Sequence, residues 1–374
     1  MPHVAHEDLH MTSRDRLLSL DALRGFDMFF IMGLSAVVAR LCAAFGSADC
    51  WLARQMRHVD WHGFAQHDTI FPLFLFIAGV AFPFSYAKMR DKGWTTARIS
   101  CKLAYRGLVL VLLGMVYNGL LSKGFGEVRW ASVLGRIGLG WMLAAFLYMA
   151  FSWRARIAWA AAFLVGYWVA MRYVPVPGAP VGADPWSAEW NLAAYVDKIL
   201  LPNAKGGDPE GLLSTIPAVA TAMLGMFAGD FVRLKGRIGG GAKTLAMIAA
   251  AVAMLVVGLL LSHWMPVNKK LWTSTFVLLA GSYSLGLFAA FYWVVDVKMW
   301  RGWTFFFRVV GMNAITVYLM QRVVDFDRVS KFFLGGIAGL MSADFGAALL
   351  SFGHLAACWL VLWFLYRKGV FLKV

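Results

Sequence analysis

The densest group of chemically active side chains lies at residues 58–68, which hold three histidines and two aspartates in eleven residues. An unperturbed imidazole titrates near pH 6.5, so a histidine here can act as a general base toward an amine or carry an acyl group itself. A neighbouring carboxylate would fix its tautomer. Two other interpretations stay open. His58 and His62, four residues apart, can share a metal ion with His67 or Asp68, or the stretch is a polar interface without chemistry.

Ionisable side chains also occur inside otherwise apolar segments, where they are costly to insert into lipid and are functional candidates by default. Asp21, Arg24 and Asp27 lie in the first such segment, and Arg136 lies in the fourth. We predict that Arg24, together with Arg136, offers a fixed guanidinium to a phosphate-bearing ligand. The alternative is an internal ion pair between Asp21 and Arg24, which are three residues apart on one helix face.

Polar residues near later apolar segments complete the candidate pocket. Asp208 and Glu210 precede the sixth segment, Asn268 and Lys269 precede the eighth, and Asn313 lies within the ninth. We predict that they contact a substrate. Asn268, Lys269 and Asn313 are also candidates for the donor that a reacting carbonyl oxygen requires. For Asn313, an interhelical hydrogen bond is an equal alternative.

The elements that position these residues are predicted from composition. Hydrophobic residues make up 60% of the 374 residues and charged residues 15%, and the apolar residues come in repeated blocks. Each block has about 20 residues, the length of a helix that crosses a bilayer, and the alternation typical of a barrel is absent. The sequence therefore predicts an all-α polytopic membrane protein of about ten transmembrane helices. The predicted spans are residues 20–44, 69–87, 103–121, 133–151, 157–174, 212–232, 245–262, 275–295, 304–321 and 347–366.

The charge distribution predicts the orientation of this domain. The net charge of +15 does not indicate a nucleic-acid partner, because the lysines and arginines lie in short loops between apolar segments. Their excess on one side places both termini in the cytoplasm, by the positive-inside rule. We predict a cytoplasmic tail over residues 1–19 and one membrane domain over 20–374, with the loop that carries His58 on the outer side. The four cysteines match no paired metal or redox spacing, and no metal is expected.

Nine islands of sequence, in one order, resemble the heparan-alpha-glucosaminide N-acetyltransferase family and its smaller bacterial relatives. The islands are LDALRG at 20–25, the His, Trp and Gly of HVDWHG at 58–63, Asp68 with FP at 71–72 and FIAG at 76–79, VLGRIG at 133–138, DPEGLLSTI at 208–216, PVNKKLW at 266–272, VVDV at 294–297, GMN at 311–313 and LYRK at 365–368. They extend over nearly the whole chain.

The resemblance implies an enzyme of the bacterial inner membrane that takes acetyl-CoA from the cytoplasm and acetylates the amine of a glucosamine-type sugar on the outer side. The active-site histidine of the family falls on His58. Asp68 and Trp61 match the same block and are expected beside it, Asp68 as a catalytic partner and Trp61, with Asp60, as substrate contacts. Arg24 and Arg136 become the candidates for binding acetyl-CoA.

Departures from the family limit what the resemblance carries over. The lysosomal members resemble this chain only over their membrane part, and an asparagine of their first span falls on Ser35. Their sugar-facing loop is reduced here to residues 174–211, so we expect a small amino sugar rather than a long polysaccharide. A homo-oligomer is compatible with the sequence. Two rival functions stay open: a permease for amino sugars, and an acyltransferase that modifies an envelope polysaccharide.

Overall fold

The computed structural model describes residues 17–204, 208–234, 236 and 238–372, so residues 1–16 of the predicted tail lie outside the described residues. The regular structure of the described part is entirely helical. In chain order the helices are α1 (Leu18–Ala44), α2 (Trp51–Gln55), α3 (Gln66–Asp91), α4 (Thr96–Tyr117), α5 (Leu120–Lys123), α6 (Val133–Ala150), α7 (Trp153–Tyr173), α8 (Leu192–Leu200), α9 (Thr215–Arg233), α10 (Gly240–Leu261), α11 (Ser274–Val297), α12 (Thr304–Gly311), α13 (Ala314–Val323), α14 (Phe326–Gly339) and α15 (Ala343–Arg367).

Eight helices of the described chain are long and apolar enough to cross a membrane, which confirms the prediction of an all-α polytopic protein. They are α1, α3, α4, α6, α9, α10, α11 and α15. The fifth predicted span is also a helix, α7, of 21 residues, but arginines at both ends make it less apolar. The ninth is divided into α12 and α13 at Asn313, whose backbone leaves the helical conformation. Asparagine disfavours a helix interior because its amide competes with the backbone for hydrogen bonds.

Helices α3 and α9 approach each other closely. A Cβ atom added at Gly79 of α3 would overlap the carbonyl group of Ala222, and one added at Gly225 of α9 would overlap that of Phe76. Small residues permit this backbone approach, which contributes packing energy where lipid provides no hydrophobic driving force between helices. The contact fixes α3, whose first turn carries Asp68.

Helix α1 contains one π turn, Phe30–Leu34, in which Gly33 has a φ of +122°. Residues with a Cβ rarely adopt this conformation, so the turn depends on glycine. Turns of this kind bend a helix and are frequent at functional sites. The residue that follows, Ser35, faces the first turn of α3.

The bundle has two ends, which we name by the residues found there. The proximal end is where α1 begins at Leu18 and α15 ends at Arg367. The distal end carries the segments between α1 and α3, between α4 and α6, between α7 and α9, and between α10 and α11. The segment between α1 and α3 holds His58, so the chemistry-bearing stretch lies at the distal end.

Candidate active site

The loop that carries His58 is held by two neighbouring distal segments. The backbone N–H of Gly63 donates to the carbonyl of Val267 at 2.8 Å, and Gly63 has a φ of +135° that favours glycine. The indole N–H of Trp61 donates to the carbonyl of Trp186, also at 2.8 Å. These two contacts explain why tryptophan and glycine accompany the histidine at this spacing.

His58, Asp68 and Lys269 form a compact charged group at the distal end. Nδ1 of His58 lies 2.7 Å from Oδ1 of Asp68, and the N–H of Val59 donates to Oδ2 of the same carboxylate at 3.2 Å. In the tautomer with its proton on Nδ1, the ring donates to this carboxylate and Nε2 is the nitrogen that can accept a proton. The Asp68 side chain is 2% exposed but that of His58 is 55% exposed, so the imidazole is open to a ligand.

Lys269 completes this group from the segment between α10 and α11. Its Nζ atom lies 3.3 Å from Oδ1 of Asp68 and 3.0 Å from Nδ1 of His58. Burial lowers the pKa of Lys269, and the charge of Asp68 opposes that shift. The contact with Asp68 favours the ammonium form of Lys269, which places positive potential next to the histidine.

Asn268 is fully buried and shapes the turn that presents Lys269. Its Oδ1 accepts the N–H of Leu271 at 2.9 Å, and its Nδ2 lies 3.3 Å from Nδ1 of His62. Burial lowers the pKa of His62. The contact between Asn268 and His62 connects the loop that carries His58 to the segment that carries Lys269. Neither residue lines the cavity described next.

A cavity of about 190 Å³, which we call the distal cavity, opens beside His58. Its wall includes His58, Trp61, Asp68, Glu210, Lys269 and Trp272. Phe71 and Trp272 form its floor, with ring centroids 4.8 Å apart. The cavity is smaller than the roughly 300–1,000 Å³ that holds a drug-sized ligand, so it suits one small sugar unit.

Asp208 and Glu210 are both bound by Arg129, a loop residue that the sequence did not single out. The guanidinium donates to the two oxygens of Asp208 at 2.6 Å each and also contacts Glu210. Glu210 lines the distal cavity and Asp208 does not. Asp60 is exposed and lies outside the cavity wall. Of these predicted substrate contacts, the structure brings only Glu210 to the cavity.

A second cavity of about 360 Å³, the proximal cavity, lies deeper between α1, α3, α4, α6, α12 and α13. Phe71 belongs to the walls of both cavities, so the two adjoin at this residue. Along α3 its wall follows a helical stripe of mainly apolar residues: Phe71, Phe74, Ala78, Ala81, Phe82 and Ser85. An elongated apolar ligand fits such a stripe.

Two arginines line the proximal cavity. Arg24 was predicted, and its Nη1 also lies 3.5 Å from Oδ1 of Asp21, so the ion pair is present as well. Arg106 of α4 was not predicted, and its guanidinium lies 4.8 Å from the ring centroid of Trp141. The sequence could have identified Arg106 in the same way as Arg24, because Arg106 is also an ionisable residue inside an apolar segment.

Arg136 lies at the other end of the molecule from this pair. It is fully buried near the distal start of α6, donates to Ser214 and to the carbonyl of Gly211, and lies 4.9 Å from the ring centroid of Trp272. It supports the floor of the distal cavity rather than joining Arg24. The reason is the chain direction, because α6 begins at the distal end and places its first turn there.

Asn313 is buried at the break between α12 and α13, and its Oδ1 accepts the hydroxyl of Thr316. Its neighbours Met312 and Ala314 line the proximal cavity. Non-helical backbone is tolerated within a membrane where it is buried or lines a cavity.

Among the described residues, no group of three or more histidine, cysteine, aspartate or glutamate side chains is placed to hold a metal ion.

Comparison with known proteins supports the resemblance found in the islands. No family model matches the chain. It is similar to heparan-alpha-glucosaminide N-acetyltransferase of Homo sapiens, with 27% identity over 369 residues that cover 83% of this chain and 53% of the human protein. The mouse protein of the same name is 25% identical over 375 residues, which cover 84% of this chain and 54% of its own. The chain spans about half the length of these relatives, and the predicted resemblance is confirmed.

Proposed function

We propose that this relative of the heparan-alpha-glucosaminide N-acetyltransferases transfers an acetyl group from acetyl-CoA to the amine of a glucosamine-type sugar across the membrane. One observation carries the proposal. A polar cavity with a carboxylate-paired histidine adjoins, at Phe71, an apolar cavity with two arginines at the opposite side. An acyl acceptor and an acyl donor need such unlike sites, and they must meet at the reacting atoms.

The acceptor binds in the distal cavity in this proposal. An amine attacks a thioester only in its neutral form, and a base close to it takes the proton that the attack releases. Nδ1 of His58 contacts Asp68, and Nε2 has no hydrogen-bond partner in the described part of the chain, which is the arrangement of a general base with a fixed tautomer. The positive charge of Lys269 nearby disfavours a bound ammonium ion and so favours the free amine.

The donor binds in the proximal cavity. Arg24 and Arg106 supply cations for the phosphates of acetyl-CoA, and the apolar stripe of α3 accommodates its aliphatic arm. The cavity is too small for the whole molecule, so the nucleotide lies toward the proximal opening and the thioester points to Phe71. We place the proximal end in the cytoplasm, which the basic loops support by the positive-inside rule, and the protein in a bacterial inner membrane.

The reaction that we favour is direct attack in a ternary complex. The amine nitrogen forms a bond to the thioester carbon, His58 Nε2 takes the amine proton, and the carbon–sulfur bond breaks as the tetrahedral intermediate collapses. His58 then returns the proton to the departing thiolate. The alternative is a two-step route in which His58 carries the acetyl group as an acetyl-imidazole.

The test is transfer of radiolabelled acetyl from acetyl-CoA to glucosamine by the purified protein in detergent. We expect labelled N-acetylglucosamine from the wild type and a loss of about 10³-fold or more with His58→Ala. The matched control is His263→Ala, because His263 is an exposed histidine whose Nδ1 contacts the carbonyl of Leu260 at the end of its own helix. A His58→Ala protein with wild-type activity would place the base elsewhere.

A permease for amino sugars is the second candidate, because two adjoining cavities with one aromatic residue between them also suit a transport path. Uptake of labelled glucosamine into proteoliposomes without acetyl-CoA discriminates between the two. Uptake of unmodified sugar, with no acetyl-CoA binding and no labelled product, would favour the permease.

A further inference from the structure

The proposed reaction lacks one group, a hydrogen-bond donor for the thioester oxygen, which gains negative charge in the transition state. Two of the three candidates from the sequence are engaged in other contacts, and the third, Asn313, belongs to neither cavity wall. Asn268 bonds within its own turn, Lys269 contacts Asp68, and Asn313 lies at the break between α12 and α13. The site nevertheless contains a second imidazole that the proposed mechanism does not use.

This imidazole belongs to His67, in the first turn of α3. It lies one turn before Phe71, the residue shared by both cavities, and so continues the stripe of α3 that lines the proximal cavity. Its ring centroid is 4.3 Å from that of His58. His67 is not itself part of either cavity wall, but it lies between two residues that are, one helical turn from Phe71 and in ring contact with His58.

Ser35 of α1 determines which nitrogen of His67 can donate. Oγ of Ser35 lies 2.9 Å from Nδ1 of His67, and within the described part of the chain this is the only hydrogen bond of that hydroxyl. Because the described residues offer the Ser35 proton no other hydrogen-bond acceptor, we take the hydroxyl as the donor to Nδ1 and place the ring proton of a neutral His67 on Nε2. Two imidazoles and the ammonium group of Lys269 would repel one another if all were charged, and His67 is less exposed than His58, so we assign His67 the neutral form.

Nε2 of His67 has no hydrogen-bond partner among the described residues. A neutral imidazole with its N–H directed at a reacting carbonyl is an effective electrophile. We propose that the Nε2–H group of His67 donates a hydrogen bond to the thioester oxygen of the donor, and that Ser35 fixes the tautomer that makes this possible. The inference rests on the proposed function and adds a catalytic residue to it.

His67 keeps its proton through the whole reaction. As the amine nitrogen bonds to the carbonyl carbon, the carbon–oxygen double bond opens and its electron pair moves to oxygen, where the hydrogen bond from His67 strengthens. On collapse the double bond reforms and the carbon–sulfur bond breaks. The thiolate receives the proton held by His58, so His67 acts only as a donor.

The first test compares variants in the acetyl transfer assay. His67→Phe keeps an aromatic ring but loses the N–H group, and we expect kcat to fall by about 10²–10³-fold with little change in acetyl-CoA affinity. His67→Gln restores a donor and should recover at least about tenfold of that loss. Ser35→Ala leaves the ring in place and frees its tautomer, with an expected loss of about tenfold. His263→Phe is the matched control and should keep wild-type activity.

The second test does not depend on the acceptor. Difference infrared spectra of acetyl-CoA, labelled with carbon-13 at the thioester carbonyl, report the hydrogen bond to its oxygen. We expect binding to wild type, His67→Gln and His263→Phe to lower the carbonyl stretching frequency, and binding to His67→Phe to leave it at its value in an apolar solvent. Acetyl-CoA binding itself shows that each variant is folded.

The outcomes separate the inference from the proposed function. An unchanged frequency shift in His67→Phe would overturn the inference even if the wild type acetylates glucosamine. A shift that depends on His67, without any transfer to glucosamine, would overturn the proposed acceptor and support the inference. A wild-type protein that does not bind acetyl-CoA would overturn both.

Discussion

The two cavities are lined by different kinds of structural element. The distal cavity takes its polar groups from loops and helix ends, among them His58, Glu210 and Lys269, and bonds between these segments fix them in place. The proximal cavity takes its wall from the faces of long helices and is mainly apolar, with Arg24 and Arg106 as its cations. A rigid helix face suits a ligand that must be held at a fixed position along the membrane normal. Loops suit polar groups that come together from distant parts of the chain.

This difference predicts separable effects. Changes to the distal group should reduce the rate of the chemical step, and changes to the proximal arginines should weaken donor binding. The shared residue, Phe71, belongs to both cavities. Variants chosen from each side therefore test whether one cavity serves chemistry and the other serves binding.

The largest effect is expected for Asp68→Asn. The amide keeps the size of the carboxylate but no longer holds a proton on Nδ1 of His58, so the ring can adopt the unproductive tautomer. We expect kcat to fall by about 10³–10⁴-fold. Steady-state kinetics with both substrates check this.

The control for Asp68→Asn is Glu189→Gln, which removes an exposed carboxylate from a distal loop. It should leave kcat unchanged. A fall in acetyl-CoA affinity as large as the fall in kcat would contradict the division of roles, because Asp68 lines only the distal cavity.

A smaller effect is expected for Arg24→Gln and Arg106→Gln. Each removes one charged hydrogen-bond donor from the proximal cavity, and such bonds contribute about 1.5–3 kcal/mol. The Kd for acetyl-CoA should rise about 10–100-fold in each variant, with kcat at saturating donor little changed. Isothermal titration with CoA measures the first quantity.

Arg136→Gln sharpens the comparison, because the sequence grouped Arg136 with Arg24 and the structure separates them. The variant should leave the Kd for CoA near its wild-type value. If Arg136→Gln raised this Kd as much as Arg24→Gln, Arg136 would also contribute to donor binding.

The fold was largely predictable because membrane spans depend on local properties, the length and apolar content of a segment. One feature required three-dimensional information. The break at Asn313 lies where α12 packs against α1 and Gly311 meets the backbone of Asp21. The lower apolar content of α7, in contrast, is visible in the sequence as three arginines within its 21 residues.

The candidate site was predictable where its parts are close in sequence. His58 and Asp68 are ten residues apart, and their pairing was expected from one stretch. Lys269 lies 211 residues from His58, so its contact with this pair follows from tertiary structure alone. The same holds for Arg129 and Glu210, which are 81 residues apart. The catalytic role of His58 stays a prediction until variants are assayed.

The smallest effect concerns stability and tests whether buried charge at the distal end makes the fold sensitive to pH. Asp197 of α8 is 1% exposed and accepts the N–H of Leu212 at 2.8 Å, and its second oxygen has no partner among the described residues. Burial raises the pKa of Asp197 to about 6, and the charge of Asp208 adds to this. Folding thus favours the protonated carboxyl.

Because the pKa of Asp197 is higher in the folded than in the unfolded chain, its contribution to stability is complete below about pH 4 and is lost as pH rises through about 6. Asp197→Asn stays neutral and retains the oxygen that accepts Leu212. Its melting temperature should match the wild type near pH 4 and exceed it by about 3 °C at pH 7.5. Glu189→Gln, at an exposed site, should show no such divergence. An equal difference at both pH values would mean that Asp197 is ionised throughout, and that the charges around the distal cavity already compensate it.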